Sequence, residues 1–174
     1  MPNRNNIILI GFMGVGKGSV AREVIHCSDY IAIDTDDLIE SMENRTIKKI
    51  FADDGEEYFR ALEKKLSKWL KSSVKNTLIS TGGGFYKQKN LNEIGVVVLL
   101  DSSFDKIIKR IKSHPNAAKK LKKRPLLNNL QKAKELYDER LPEYLALSDI
   151  VIDVTDKSAL DCAKELLKKV KQYV

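Results

Sequence analysis

GFMGVGKGS, at residues 11–19, follows the short apolar run Ile7–Ile10 and leads into a segment of helical character. A strand, a glycine-rich loop and a helix in this order are the setting of the phosphate-binding loop G-x-x-x-x-G-K-[ST]. In such a loop the backbone N–H groups point at phosphate oxygens, and the following helix adds the positive end of its dipole. The motif therefore predicts a nucleoside triphosphate site, with Lys17 placed to reach the β- and γ-phosphates.

One position of this loop departs from the motif. A Ser or Thr normally follows the lysine, and its hydroxyl holds Mg²⁺. Here Gly18 stands in that place, and the hydroxyl comes one residue later, on Ser19. Because Mg²⁺ keeps several waters and substrate phosphates as ligands, losing one protein oxygen need not abolish its binding. We expect weaker Mg²⁺ binding or slower turnover. An ordinary glycine-rich turn is the alternative, but it would not explain Lys17 at this spacing.

The composition is typical of one globular domain. The chain has 174 residues, of which 43% are hydrophobic and 32% charged, enough for a proper core. No apolar run approaches the roughly 18 residues that a membrane span needs, and no signal-peptide segment precedes Ile7–Ile10. We therefore expect a single cytoplasmic domain over residues 1–174. Cys27 and Cys162 show no metal-binding pattern, and we expect two buried or half-buried thiols.

The chain is basic, with 31 Lys and Arg against 24 Asp and Glu and a net charge of +7. One group of lysines is typical of a solvated face on the last helix; its members are Lys164, Lys168, Lys169 and Lys171. The other is the run KKLKKR at residues 119–124. A nucleic-acid site there would call for interleaved aromatic side chains, and residues 113–124 have none. The sequence therefore argues against a nucleic-acid partner.

Short runs rich in β-branched residues predict five strands, buried on both faces of a parallel sheet. They are Ile7–Ile10 and residues 31–33, 77–79, 96–100 and 150–152. Between them, apolar residues recur with helical period. The three stripes are Leu62, Leu66, Trp69 and Leu70; Phe104, Ile107, Ile108 and Ile111; and Leu160, Ala163, Leu167 and Val170. The alternation predicts an α/β sandwich with a mostly parallel sheet. Residues 113–129, rich in Lys, Asn and Pro, are predicted to form a mobile loop.

Two carboxylates, Asp34 and Asp36, lie at the end of the second predicted strand. Ligands of a doubly wound sheet sit outside the carboxyl ends of its strands, so the pair could serve Mg²⁺ and a hydroxyl-bearing acceptor. The alternative is helix capping by Asp36 or Asp37 ahead of the next apolar residues, since Asp is a good N-cap. The spacing alone leaves both open.

Two patterns further along the chain could also belong to a site. Arg60 and Glu63 are three apart and share a helix face, although a surface ion pair worth about a few tenths of a kcal/mol is the simpler interpretation. Gly82, Gly83 and Gly84 follow the third predicted strand. They would let a ligand approach the backbone closely, and a plain turn seldom needs three glycines.

The basic segment is the last candidate. It contains Arg124 and precedes a predicted helix that carries Tyr137 and Arg140. A mobile cationic segment could close over phosphates and exclude water. A solvated basic loop is the alternative.

Together these motifs resemble the shikimate kinase family over essentially the whole chain. The family's loop G-F-M-G-x-G-K-S-T is matched at residues 11–19 except at Gly18. The other matched motifs are D-x-D at Asp34 and Asp36, G-E-x-x-F-R-x-x-E at residues 55–63, T-G-G-G at 81–84, R-P-L-L at 124–127, and Y-x-x-R at Tyr137 and Arg140. Each motif alone is modest, but their joint order and spacing are highly specific.

The resemblance implies a P-loop kinase fold. It is a three-layer sandwich with a five-stranded parallel sheet in the order 2-3-1-4-5, helices on both faces, substrate-binding helices at about residues 34–63 and a mobile lid at about 113–129. It also implies transfer of the γ-phosphoryl group of ATP to the 3-hydroxyl of shikimate, a step of aromatic amino acid biosynthesis. Mg²⁺ is the implied cofactor, and ATP and shikimate are the implied partners. We expect a monomer with no nucleic-acid or membrane partner.

The same resemblance implies individual roles. ATP would be held by Gly14, Val15, Gly16, Lys17, Gly18, Ser19 and Arg124. Shikimate would be held by Asp36, Arg60, Glu63, Gly82, Gly83, Gly84 and Arg140. Within these sets, Asp36 would take or orient the hydroxyl proton, and Lys17 and Arg124 would neutralise charge during transfer. Arg60, fixed by Glu63, and Arg140 would bind the carboxylate. Asp34, through water, and Ser19 would hold Mg²⁺.

A second departure lies at the adenine end of the predicted site. The family often places Arg and Pro after the last strand, but residues 153–159 lack the Pro, so the adenine contacts stay open. Two alternatives remain: a nucleotide-binding protein whose catalysis Gly18 impairs, and another small-molecule kinase of similar fold, for gluconate or a nucleoside monophosphate. The paired arginines, Arg60 and Arg140, favour a carboxylated acceptor over a neutral one.

Overall fold

The computed structural model describes residues 5–173 and contains a five-stranded, all-parallel sheet in the order β2-β3-β1-β4-β5. The strands are β1 (Ile7–Ile10), β2 (Ile31–Asp34), β3 (Thr77–Ser80), β4 (Val96–Asp101) and β5 (Ile150–Asp153). All five predicted strands are therefore confirmed to within one residue, together with the strand order that the family resemblance implied. Residues 1–4 and residue 174 lie outside the described part of the chain.

Eight α-helices connect and follow the strands in the described part of the chain. They are α1 (Lys17–Cys27), α2 (Thr35–Glu43), α3 (Ile47–Ser73), α4 (Leu91–Ile94), α5 (Phe104–Lys112), α6 (Ala117–Lys122), α7 (Leu130–Leu147) and α8 (Ala159–Val170). Gly55 interrupts α3 with φ of 80°, which glycine adopts without strain. No helix among residues 5–173 combines the length and apolar character needed to span a membrane.

The sheet is buried most deeply at its centre. Every residue of β1 is buried, as are the first five of β4, because helices cover both faces of the central strands. The prediction of two-sided burial was wrong for the edge strands. Ile31 on β2 is 70% exposed and Val151 on β5 is 40% exposed, since an edge strand lacks a neighbour and is only partly covered.

The predicted helix stripes are largely confirmed. All four apolar residues of the α5 stripe are buried, and so are Leu62, Leu66 and Leu70 of α3. Trp69 was wrongly assigned, since it is 46% exposed. On α8 the buried face is rotated from the prediction and runs through Cys162, Ala163, Leu166 and Val170. Of the two free cysteines, Cys162 is buried and Cys27 is exposed rather than half-buried.

The basic segment at residues 113–129 is more ordered than its composition suggested. It contains α6 and a short 3₁₀ helix at Pro125–Asn128, and Leu127 of that turn is buried. The buried leucine anchors one end of the segment to the core. The carboxyl ends of β1, β2 and β3 all open towards this segment, where their connecting loops form a cleft.

Candidate active site

A cleft of about 1010 Å³ lies at the carboxyl ends of the strands. Its wall includes the glycine-rich loop at residues 14–19, both aspartates after β2, the glycine run after β3 and the arginines of α3 and α7. The basic segment forms the opposite wall through Lys120, Lys123 and Arg124. The structure thus brings every residue to which the resemblance gave a site role to one cavity. Tyr137 is not among the residues that line it, since its hydroxyl donates to the Ser102 carbonyl at 2.9 Å.

The loop after β1 adopts a conformation that depends on glycine. Gly14 and Gly16 have φ of 81° and 109°, values that other residues rarely adopt. A Cβ at Gly16 would also lie 3.1 Å from an Arg110 nitrogen. The turn delivers Gly16 as the N-cap of α1 and Lys17 as its first residue. The helix therefore begins at the loop, with its unpaired N–H groups available to an anion.

Lys17 is bent back into the loop. Its Nζ donates hydrogen bonds to the carbonyls of Gly11 at 2.6 Å and Phe12 at 3.2 Å. Burial lowers the pKa of Lys17 to about 8, although the charges of Asp36 and Asp34 act to raise it. The ammonium is therefore desolvated and held in place before any ligand arrives.

Gly18 is exposed and stands in open space. A Cβ there would meet only an Arg22 nitrogen at 3.8 Å, and its φ is not in the left-handed region. Ser19 carries the displaced hydroxyl, which accepts a long hydrogen bond of 3.4 Å from Arg22. Nothing in the packing of this turn therefore requires glycine at position 18.

Asp34, the last residue of β2, and Asp36, two residues further on, have different surroundings. Asp34 is the N-cap of α2, since its Oδ1 accepts from the backbone N–H groups of Asp36 at 2.9 Å and Asp37 at 3.2 Å. Its Oδ2 accepts from the hydroxyl of Ser80 at 2.9 Å. Capping is thus real, but Asp34 performs it rather than Asp36 or Asp37. Asp36 is left free to point into the cleft.

The carboxylate of Asp36 is partly unsatisfied. Its Oδ1 is buried and has no hydrogen-bond partner among residues 5–173, which is costly for a polar atom. Burial raises the pKa of Asp36 to about 7, helped by the negative charges of Asp34 and Glu63 and opposed by Lys17. A carboxyl group with such a pKa can exchange a proton near neutral pH.

Arg60 and Glu63 form a pair that is far from a plain surface contact. Glu63 is 1% exposed, and its Oε2 accepts from Arg60 Nη1 at 2.7 Å. Burial raises the pKa of Glu63, against the lowering effect of Arg60 and Arg140. Its Oε1 has no partner in the described part of the chain. A buried pair of this kind fixes the guanidinium in one orientation.

The three glycines after β3 each make room for a different side chain. A Cβ at Gly82 would lie 2.5 Å from Asp36 Oδ1, one at Gly83 would lie 2.9 Å from Arg140 Nη1, and one at Gly84 would lie 2.5 Å from Arg60 Nη1. These distances are too short for real contacts. The glycine run therefore accommodates the carboxylate and both guanidinium groups, which all lie against it.

The charges of the two remaining arginines, Arg124 and Arg140, both act on Lys17 and help to lower its pKa. Arg140 of α7 is 9% exposed and faces the glycine run. Arg124 donates to the Lys120 carbonyl at 2.9 Å, and burial lowers its pKa. Burial also lowers the pKa of Lys120, reinforced by Arg124, Arg110 and Arg22. This concentration of positive charge in one cleft suits a polyphosphate.

Three residues near the site were missed by the sequence analysis. Arg110 of α5 donates to the loop carbonyls of Gly14, at 3.1 Å, and of Val15. Tyr144 donates to the Gly83 carbonyl at 2.6 Å, and Tyr86 packs beside it. Arg110 looked like one more exposed cation on an amphipathic helix. The signal for Tyr144 was present, because it lies four residues after Arg140 on one helix face.

Within residues 5–173, the structure assigns no adenine contacts beyond those that the sequence left undetermined. Val154, Lys157 and Ala159 line the cleft there. Lys157 forms an ion pair with Glu165 at 2.8 Å. These contacts describe the wall of the cleft but assign no base-recognition role.

Comparison with known proteins gives concordant matches. The family model described as shikimate kinase matches residues 13–171. The chain is 39% identical to a shikimate kinase of Helicobacter hepaticus, covering 94% of both chains, and 38% identical to one of Caldanaerobacter subterraneus, again covering 94% of both. The solved structure of a shikimate kinase from Acinetobacter baumannii in complex with shikimate superimposes with a TM-score of 0.83 at 30% identity, covering 99% of this chain and 96% of that one.

Proposed function

This chain belongs to the shikimate kinase family, and we propose that Asp36, Lys17 and Arg124 carry the reaction in the cleft described above. The enzyme phosphorylates shikimate with ATP, a step of aromatic amino acid biosynthesis. The observation that carries the assignment of residues is the position of Asp36. Its unpaired oxygen lies against Gly82, the next two glycines face Arg140 and Arg60, and its charge acts on Lys17.

On the acceptor side, Arg60 and Arg140 bind the shikimate carboxylate. Both guanidinium groups lie over adjacent glycines, and Arg60 is held by the buried Glu63. Arginine presents paired donors that match a carboxylate. With this end fixed, the backbone at Gly82 to Gly84 lines the ring, and the 3-hydroxyl reaches the free oxygen of Asp36.

In the transfer step, Asp36 accepts the proton of the 3-hydroxyl. The hydroxyl oxygen forms a bond to the γ-phosphorus of ATP as the bond from that phosphorus to the β-phosphate oxygen breaks, leaving ADP. Charge spreads over the transferring oxygens, and Lys17 and Arg124 stabilise it with their positive charges. The loop residues Gly14, Val15, Gly16, Gly18 and Ser19 hold the phosphates.

The residues present fit Mg²⁺ in a limited way. Asp34 offers a carboxylate whose oxygens already accept three hydrogen bonds, which suits contact through a water better than direct ligation. Ser19 offers the nearest hydroxyl to the motif position. When bound, Mg²⁺ neutralises phosphate charge. We propose Asp34 and Ser19 as its protein partners, with waters and phosphates completing the shell.

We also propose that two segments of the chain have separate functions within one domain. Residues 34–63 form the substrate-binding part, and residues 113–129 act as the lid of a single kinase domain. The lid assignment is supported by the cations that the basic segment presents to the cleft. Every residue assigned to the site comes from one chain, so a monomer suffices for the reaction.

The direct test is shikimate-dependent release of ADP from Mg·ATP. We expect turnover with shikimate and little with gluconate, because gluconate lacks the rigid ring that places a hydroxyl at Asp36 while its carboxylate meets both arginines. The assay is run over a range of Mg²⁺ and shikimate concentrations. Absence of ADP release throughout that range would rule out the proposed function.

Gly18→Ser tests whether the loop is impaired. The side chain fits, since the space around Gly18 is open, and the new hydroxyl stands where the motif places a Mg²⁺ ligand. We expect the Mg²⁺ concentration for half-maximal activity to fall several-fold. Gly18→Ala is the matched control, because it supplies the same Cβ without the hydroxyl and is at least as good a helix former as Ser. If both variants behave alike, the missing hydroxyl does not limit this enzyme.

A further inference from the structure

Tyr144 is a buried tyrosine to which the mechanism so far gives no role. It is 2% exposed, and its hydroxyl donates to the carbonyl of Gly83 at 2.6 Å. Its ring meets that of Tyr86 edge-on, with centroids 4.9 Å apart and planes at 70°. The tyrosine is therefore fixed at both ends, by the glycine run and by an aromatic neighbour.

Arg140 lies directly against this pair. Its guanidinium carbon is 5.9 Å from the centroid of the Tyr86 ring, and its Nη1 approaches the position that a Cβ of Gly83 would occupy. The Tyr144 hydroxyl is beside the same position, since a Cβ of Gly83 would lie 2.9 Å from Arg140 Nη1 and 3.9 Å from that hydroxyl. Burial raises the pKa of Tyr144 to about 12, against the lowering effect of the nearby charge of Arg140. The Tyr144 hydroxyl thus stays neutral. While it donates to Gly83, its oxygen keeps the capacity to accept a hydrogen bond from the neighbouring guanidinium.

We propose that Tyr144, braced by Tyr86, is a positioning residue for Arg140 in recognition of the acceptor carboxylate. The inference rests on the proposed function in one respect, namely that Arg140 binds that carboxylate. A free arginine side chain has many rotamers, and ordering it opposes binding. The tyrosine orders the guanidinium before substrate arrives, and its bond to Gly83 ties that orientation to the acceptor-binding backbone.

The two tyrosines act through different parts of their side chains. The Tyr86 hydroxyl makes only a 3.4 Å contact with Glu143, so its ring against Tyr144 and Arg140 is the useful part. For Tyr144 the hydroxyl is the useful part, because it links the arginine to the loop. Tyr86→Phe should therefore leave KM for shikimate unchanged, whereas Tyr144→Phe should raise it.

The kinetic test compares Tyr144→Phe with wild type. We expect KM for shikimate to rise about five- to tenfold, the size of effect typical of one lost hydrogen bond. KM for ATP should stay unchanged and kcat should change less than twofold. The matched control is Tyr137→Phe on the same helix, whose buried hydroxyl donates instead to the Ser102 carbonyl at 2.9 Å. It should lower stability without changing KM for shikimate.

A double-mutant cycle decides whether Tyr144 works through Arg140. In an Arg140→Lys background, the further change Tyr144→Phe should have no effect on KM for shikimate. An equal effect in both backgrounds, or an unchanged KM in Tyr144→Phe alone, would overturn the proposal.

A readout without substrate separates this proposal from the proposed function. In the free protein, the Nε–H proton of Arg140 should exchange with water faster in Tyr144→Phe than in wild type or in Tyr137→Phe, as measured by NMR. Unchanged exchange would refute the positioning role even if the enzyme is active. Lack of ADP release by wild type would instead refute the function, whatever the exchange shows.

Discussion

Asp36→Asn is expected to lower kcat for shikimate phosphorylation by about 10²–10⁴-fold, the range typical of a lost general base. Asparagine fills the same space over Gly82 but cannot accept the hydroxyl proton. The steady-state rate of ADP release measures the effect. Asp37→Asn is the matched control, because Asp37 is the exposed next residue and likewise donates its backbone N–H to Asp34. Similar losses in the two variants would mean that general damage to α2, and not base catalysis, explains the result.

The same substitution should stabilise the fold at higher pH. Burial raises the folded-state pKa of Asp36 from 3.8 to about 7, so the folded chain holds a proton that the unfolded chain has already released. The contribution of this group to stability therefore falls as pH rises between those two values. Asn carries no charge and avoids the penalty, which is at most a few kcal/mol. Thermal unfolding should show a larger gain for Asp36→Asn at pH 8 than at pH 5, and a gain independent of pH would contradict this account.

The pKa of Asp36 also shapes the pH profile of the native enzyme. If the ionised carboxylate accepts the proton, kcat/KM falls as pH drops below about 7. This fall of kcat/KM at low pH should be absent from Asp36→Asn, because that variant has no carboxylate at position 36 to protonate. Activity and stability thus depend on this residue in opposite directions, as expected for a buried charged group kept for chemistry.

Much of the fold was predictable because local patterns and the tertiary structure agree. Short β-branched runs marked the five strands, and the loop motif marked the start of α1. The errors fell where tertiary surroundings override a local pattern. Ile31 and Trp69 are apolar and correctly spaced, yet an edge strand and an outward helix turn leave them exposed. Periodicity identifies a face of an element but cannot say whether a neighbour covers that face.

The candidate site was predictable in its membership and not in its geometry. Spacing alone did not distinguish Asp34 from Asp36, although the family resemblance implied different roles for them. The hydrogen bonds show that Asp34 caps α2, which leaves Asp36 to face the cleft. The glycine run was expected to serve a ligand. In the structure each glycine faces a different side chain, from Asp36 on α2, Arg140 on α7 or Arg60 on α3. The spacing of residues along the chain cannot reveal that these three helices meet at the glycine run.

Lys17→Met is expected to lower kcat/KM for ATP by about 10³-fold or more, because it removes the positive charge that meets the β- and γ-phosphates in a desolvated loop. Methionine retains most of the side-chain volume, so packing changes little. Lys164→Met, at an exposed position of α8, is the matched control and should leave turnover unchanged. A loss of less than tenfold would show that Arg124 and the other cations of the cleft suffice without Lys17.

The stability of Lys17→Met separates this electrostatic account from simple damage to the loop. Burial lowers the folded-state pKa of Lys17 from 10.5 to about 8, so the folded chain loses its proton before the unfolded chain does. Stability from this group therefore rises as pH increases between 8 and 10.5, and the desolvated charge is most destabilising below that window. Methionine removes the penalty along with the two hydrogen bonds to Gly11 and Phe12. The free energy of unfolding of the variant minus that of wild type should thus be more positive at pH 7 than at pH 10, as measured by thermal unfolding.

Lys17 also lowers the pKa of Asp36. Its removal should therefore raise the pKa of Asp36 further, and NMR titration of the Asp36 carboxyl group measures that effect directly.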